Sequence, residues 1–138
     1  GVQRNLFVSR YWAQEKSLEP VPTGTNIIMK GGSATLDELI ASTEYGLLVT
    51  SFWYIREVDP QTILHTGLTR DGLFLIEGGE ITRPVVNFRW NESPAAVLRS
   101  IEAMTTSERV VTREGYLPIV APAAKIGEFR FSSISPST

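Results

Sequence analysis

The sequence predicts a mainly β, α+β domain: an antiparallel β-sandwich or partly closed barrel carrying two short helices. Three observations predict it. Residues 47–58 form a long run rich in β-branched and aromatic side chains with no helical break. Turn signals at Arg70-Asp71-Gly72 and Gly78-Gly79 punctuate the apolar runs that follow. Only two places carry a helix start signal, Thr35 and Ser93-Pro94.

In chain order, residues 6–8 are a short apolar run and a candidate first strand. Residues 11–25 are polar and hold Pro20, Pro22 and Gly24, so they read as a loop. Residues 26–29 are a short strand candidate ending at Gly31-Gly32. Thr35 followed three residues later by Glu38 is a capping box, and Leu36, Leu39 and Ile40 recur at helical spacing, so a helix of roughly two turns follows. After Gly46 the period changes. Residues 47–58, 62–69, 73–77 and 81–90 read as successive strands, with Gly78-Gly79 as a two-residue hairpin loop. In the last of these, Val86, Phe88 and Trp90 alternate with Val85, Asn87 and Arg89, which predicts one buried and one wet face. Pro84 lacks an N–H and belongs at an edge or bulge. Ser93 as cap and Pro94 at the first helical position open the second helix, with Ala96, Val97, Ile101 and Met104 as its inner stripe. Val110-Val111, residues 117–120 and a strand around Phe129 and Phe131 complete a β-meander, and the polar tail 132–138 is expected to fray. There is no internal repeat.

The chain has 138 residues and a mass of 15.3 kDa, the size of one domain spanning 1–138 with a real core. Apolar residues make up 42% and charged residues 20%, a balance that excludes a disordered or fibrous chain. Thirteen basic against fifteen acidic residues give a net charge of −2, and the basic residues stand singly. Nucleic acid is therefore not an expected partner, because a duplex binder needs a concentrated basic face. With no cysteine there is no disulfide, thiolate metal site or Cys nucleophile. No apolar run approaches the length of a membrane span, so no membrane partner is expected. The chain opens on Gly1 rather than Met, as a piece of a longer protein would.

His65 is the only histidine. A triad or a His-based zinc site would have to use it, but a strand histidine with an ordinary partner is the plainer reading, and a small hydrolase built on His65 ranks behind it. Glu57 and Asp59 share a face of a strand, as paired carboxylates do in acid–base sites, yet beside Pro60 they read as a solvated strand end. Lys30-Gly31-Gly32-Ser33 precedes a helix, but the lysine stands on the wrong side of the glycines for a phosphate loop, so helix entry is expected. Phe52-Trp53-Tyr54 must point to both faces of a strand: either the strand is buried on both sides, or it is an edge that receives a peptide or another subunit. Arg56, Arg70 and Asp71 sit near a turn, where an arginine clamps a carboxylate or, more simply, is solvated.

The order of these signals resembles the C-terminal domain of the TldD/PmbA (TldE) family. The residues that carry the resemblance are Asn26-Ile27-Ile28-Met29-Lys30-Gly31-Gly32, the helix Leu36-Asp37-Glu38-Leu39-Ile40, and Gly46-Leu47-Leu48-Val49-Thr50. The most specific stretch runs from Thr66-Gly67 through Gly72-Leu73-Phe74-Leu75-Ile76-Glu77-Gly78-Gly79-Glu80-Ile81 to Pro84-Val85 and Asn87. It covers most of residues 24–132, and residues 1–25 match loosely. The resemblance implies a cytoplasmic subunit, or part of one, of a zinc-dependent peptidase that trims peptides and unfolded segments. It also implies a homo- or hetero-dimer with a TldD/PmbA-type subunit. The older label of that family, modulator of DNA gyrase, does not make it a DNA binder. Its zinc subunit carries a His-Glu-x-x-x-His helix upstream and a Cys ligand in the C-terminal domain. Neither occurs here, so no catalytic residue carries over, and zinc is expected in the catalytic subunit rather than in this chain. This chain is then a non-zinc type, a divergent branch or one domain of a longer enzyme. The expected role is subunit interface and peptide-channel wall. A sheet edge near residues 52–56 and 66–71 would bind extended peptide, with Tyr54, Arg56, His65, Thr69, Arg70 and Asp71 as the candidate contacts. The alternative from another class is a stand-alone, non-catalytic interaction or assembly module.

Overall fold

Two long strands dominate the chain, and they lie where β-branched and aromatic residues are densest. The computed structural model describes residues 2, 4–112, 115 and 117–135. Among them the order is α1 (Arg10–Lys16), β1 (Ile27–Ile28), α2 (Leu36–Ala41), β2 (Tyr45–Asp59), β3 (Leu64–Glu77), β4 (Glu80–Pro84) and β5 (Phe88–Glu92). Then come α3 (Pro94–Arg99), β6 (Ile101–Met104), β7 (Glu108–Val110), β8 (Ile119–Ala121), β9 (Ala124–Ile126) and β10 (Phe131–Ile134). The main sheet runs β10-β5-β3-β2, with β4 also on β3; a three-stranded sheet runs β1-β8-β7, and β6 pairs with β9. The fold is a mainly β, α+β sandwich, and its sheets do not close into a barrel.

The meander holds for β2, β3 and β4. It fails for β1, which pairs parallel with β8 through Ile27–Ile119 and Ile28–Val120. Such a pairing needs a long crossover, which no local pattern announces. The Gly78-Gly79 loop is as expected: φ is +58 and +82, Glu77 pairs with Glu80, and the turn is of the primed kind that suits a twisted hairpin. Arg70-Asp71-Gly72, by contrast, does not end a strand. Val49 opposes Leu73 and Ser51 opposes Arg70, so two residues on β3 face one on β2. Asp71 takes φ +67 inside a β-bulge, and the expected strands 62–69 and 73–77 are one strand.

The expected strand 81–90 is, conversely, two. β4 ends at Pro84, and β5 begins at Phe88 on the same side of β3. Thr69 holds the gap. It is 1% exposed, its hydroxyl donates to Asn87 Oδ1 at 2.9 Å, and it accepts from the Phe88 N–H at 2.9 Å. Val86 lies in this interruption and is exposed, so the buried alternation is kept only by Phe88 and Trp90.

Three helices appear among the described residues, one more than expected. The segment 11–25 read as a loop contains most of α1, because Ser9 accepts from the Trp12 N–H and the prolines begin only after the helix ends at Ser17. Residues 6–8 form no strand; Val8 makes a single bridge to Val21. The capping box of α2 is complete: Thr35 N–H donates to Glu38 at 2.8 Å, and Glu38 N–H donates to Thr35 Oγ1 at 3.2 Å. α3 is shorter than its pattern. Ile101 and Met104 lie in β6, and the Ser93 hydroxyl donates to Thr62 O instead of capping. At the end of the chain, β10 pairs with β5, so part of the tail expected to fray is a strand; residues 136–138 lie outside the described residues.

The core sits around Leu39, Leu73, Leu75, Ile76 and Trp90, all nearly fully buried. Successive buried residues on β3, Leu75 and Ile76, mean that this strand is covered on both faces at that end. α2 closes over the β3–β4 hairpin, where the Gly78 and Gly79 N–H groups donate to the carbonyls of Glu44 and Thr43.

Candidate functional site: the β2 edge of the main sheet

β2 is fifteen residues long and forms the edge of the main sheet; among the described residues no strand flanks its outer side. Its register against β3 shifts three times: between Val49 and Ser51 the extra residue lies on β3, while between Trp53 and Arg56 and between Glu57 and Asp59 it lies on β2. The edge expected at residues 66–71 is corrected here. Those residues belong to β3, which lies between β2 and β5, and residues 66–68 pair with β5, so they are not the edge of the sheet.

The aromatic triplet divides between the two faces, as strand geometry demands. Phe52 packs with Trp90 and Phe129, with ring centroids 5.4 Å from each, and Trp90 lies 5.6 Å from Phe129. Gly67 is directly opposite Trp90, and any Cβ there would collide with the indole. On the other face, Trp53 pairs with Leu68, and Leu68 with Arg89. The Arg70 guanidinium reaches from β3 across to the Trp53 ring, 4.8 Å from its centroid. Tyr54 occupies a bulge with φ +55, and the Arg56 guanidinium lies 4.3 Å from its ring while donating to Ile55 O at 2.7 Å.

The six residues singled out from sequence therefore separate. Tyr54 and Arg56 lie on the edge strand and are exposed, and Arg70 leans onto it. Asp71 is exposed in the bulge of β3. His65 sits on the interior strand, half-buried, in register between Glu57 on β2 and Glu92 on β5, with Nδ1 3.0 Å from Ile63 O. Thr69 is sealed in the β4–β5 junction and holds the sheet together. Sequence reasoning left out Trp53 as the surface on which Arg70 rests. The signal was present in the Phe-Trp-Tyr triplet, but choosing the right ring requires the register.

The Glu57–His65–Glu92 row is a register alignment across three strands, and its members have other partners. Glu92 accepts from the Ser93 N–H at 2.9 Å and from the Arg130 N–H at 3.3 Å. Among the described residues no three His, Cys, Asp or Glu side chains cluster to hold an ion. Gly31 and Gly32 are a close chain crossing rather than a phosphate cradle: Gly32 N–H donates to Thr105 O at 2.9 Å, and a Cβ on Gly31 would strike that same carbonyl. An apolar cleft of about 230 Å³ between Leu47, Leu75, Val85 and Phe88 carries only Arg83 as a charged lining residue. Asp59 holds its proton less tightly than an ordinary aspartate, because the Thr62 hydroxyl donates to it at 2.6 Å and the Gln61 N–H at 3.0 Å; it organises the turn after β2. No helix among the described residues is long and apolar enough to cross a membrane.

Fold and edge together describe a sheet domain whose long edge strand pairs with no further strand among the described residues. Residues 1–133 match the family described as PmbA/TldA metallopeptidase C-terminal domain, and the chain belongs to that family. Three solved structures share the fold. TldE from Thermococcus kodakarensis is 18% identical, with a TM-score of 0.72, over 93% of this chain and 31% of its own. A candidate modulator of DNA gyrase from Bacteroides thetaiotaomicron is 26% identical, with a TM-score of 0.66, over 93% and 28%. Another from Thermotoga maritima is 15% identical, with a TM-score of 0.73, over 96% and 31%. The chain thus spans about a third of the length of these proteins. No curated protein sequence matches it. The metal that the family description implies finds no fitting ligand set among the described residues.

Proposed function

We propose that this chain is the non-catalytic wall of a TldD/PmbA-type metallopeptidase, receiving extended peptide or unfolded polypeptide along the outer edge of β2. The zinc chemistry then belongs to a catalytic subunit or domain. In the same reading the chain contributes to the interface of a cytoplasmic homo- or hetero-dimer. One observation carries the proposal: among the described residues, a fifteen-residue strand of the main sheet has no strand paired to its outer side. Main-chain hydrogen bonds from such an edge grip a peptide without regard to its sequence, at about 1 kcal/mol net per bond. The two bulges on β2 fit the same use, since they keep the edge from pairing freely with other sheets while leaving short regular stretches open.

The test is fluorescence anisotropy of a labelled peptide of about ten residues with high strand propensity. It binds, and N-methylation of its alternate amides abolishes binding because the donors are gone. Equal binding of the methylated peptide would refute the edge as the contact. Chelator-sensitive cleavage by the 138-residue chain alone would refute the non-catalytic assignment.

A further inference from the structure

We infer that Arg70, laid across Trp53 at the β2 edge, makes this edge select peptides with acidic side chains; the inference rests on β2 as the peptide-binding strand. A strand added outside β2 would lie about 4.8 Å from it. Arg70 originates one strand further in, opposite Ser51, but its guanidinium leans outward onto the Trp53 ring, 4.8 Å from the centroid. The indole face attracts the cation through its quadrupole and holds it over the edge strand. A contact with the ring face uses no N–H···O bond, so the guanidinium keeps donors for a carboxylate.

Arg70 needs such a partner. Among the described residues no carboxylate pairs with it; Lys125 and Glu102, which do pair at 3.6 Å, lie elsewhere in the fold. The same face adds positive charge further in, where Arg89 stands in the cross-strand row of Trp53 and Leu68 and donates to Thr66 Oγ1 at 3.3 Å. Alternate residues of an added strand share a face. A peptide with glutamate at every second position would therefore set one carboxylate beside Arg70. The chain as a whole carries −2, so a preference for an acidic peptide has to come from this local arrangement and not from net charge.

Two labelled peptides test it, one alternating valine with glutamate and the other valine with glutamine. At low salt the native chain binds the glutamate peptide roughly two- to fivefold more tightly, the worth of one solvent-accessible charge pair. About 0.5 M salt brings the ratio toward one. Arg70→Gln also brings the ratio to about one, Arg70→Lys retains part of it, and Arg99→Gln on α3 leaves it as it was. Equal binding of the two peptides by the native chain, which needs no variant, would overturn the acidic preference while leaving β2 as a peptide edge. A ratio unchanged in Arg70→Gln would overturn the role of Arg70. Failure of both peptides to bind would overturn the edge reading and this inference together.

Discussion

Gly67 and Trp90 face each other across the main sheet with no room for a side chain on the glycine. The indole lies over the glycine, and among the described residues its N–H has no hydrogen-bond partner, so packing against Phe52 and Phe129 holds the ring. Gly67→Ala is expected to lower stability by about 1–3 kcal/mol in urea unfolding, because the ring must move and the Phe52–Trp90–Phe129 cluster moves with it. Thr69 is the second sensitive residue. Thr69→Val keeps the volume but leaves the Phe88 N–H without its acceptor, at a cost of about 1–3 kcal/mol, whereas Thr69→Ser retains the hydroxyl and is expected to lose less. Asp59 supplies the pH dependence. Its proton affinity is lowered in the fold by the Thr62 and Gln61 donors, so its contribution to stability is present above the unfolded-state value and fades as pH falls through the lower folded value. Below about pH 4 the native chain is expected to lose stability faster than Asp59→Asn, read from melting temperatures on a pH series.

At the scale of elements, turns and caps carry the local code. Both glycines of the β3–β4 loop have positive φ, but their surroundings differ: a Cβ on Gly78 meets nothing, while one on Gly79 would come within 2.7 Å of Ala41 O. Gly78→Asn is therefore expected to leave the thermal midpoint almost unchanged, and Gly79→Ala to lower it clearly. The capping box of α2 was legible from Thr35 and Glu38 alone, and both of its reciprocal bonds form. The hairpin was legible from Gly78-Gly79 for the same reason: the chemistry lies within a few residues. Arg70-Asp71-Gly72 was misleading because Asp and Gly supply positive φ equally well to a turn and to a bulge. Only the neighbouring β2 decides between them, by continuing in register on both sides. α1 was missed because the prolines beyond its end outweighed a serine cap with no hydrophobic stripe after it.

At the scale of the molecule, the candidate site was half legible. Phe52, Trp53 and Tyr54 pointed to a strand with two occupied faces, and that strand proved to be the sheet edge. His65 and Thr69 stood out for their residue types, but the register put one on an interior strand and the other inside a junction. The family assignment adds an expectation about length, since relatives of the same fold are about three times longer. Intact mass of the protein from its source cells is expected well above 15.3 kDa. A product of that mass would return the stand-alone interaction module to first place. Removing metal with a chelator is expected to leave the melting temperature of the 138-residue chain unchanged, because its described residues offer no ligand cluster.

By itself the sequence determined the fold class, the position of the long strand β2, the β3–β4 hairpin, the α2 cap and the family. These depend on periodicity, turn chemistry and motifs that act over a few residues, or on the summed likeness of many. Only the tertiary structure decided which strand is the edge, that Asp71 lies in a bulge, that β1 joins β8 in parallel, and that Arg70 rests on Trp53. Each of these depends on pairing between residues far apart in the chain. Such pairing is fixed by the competition of strands for neighbours and by the burial of shared faces, not by any local preference of the backbone.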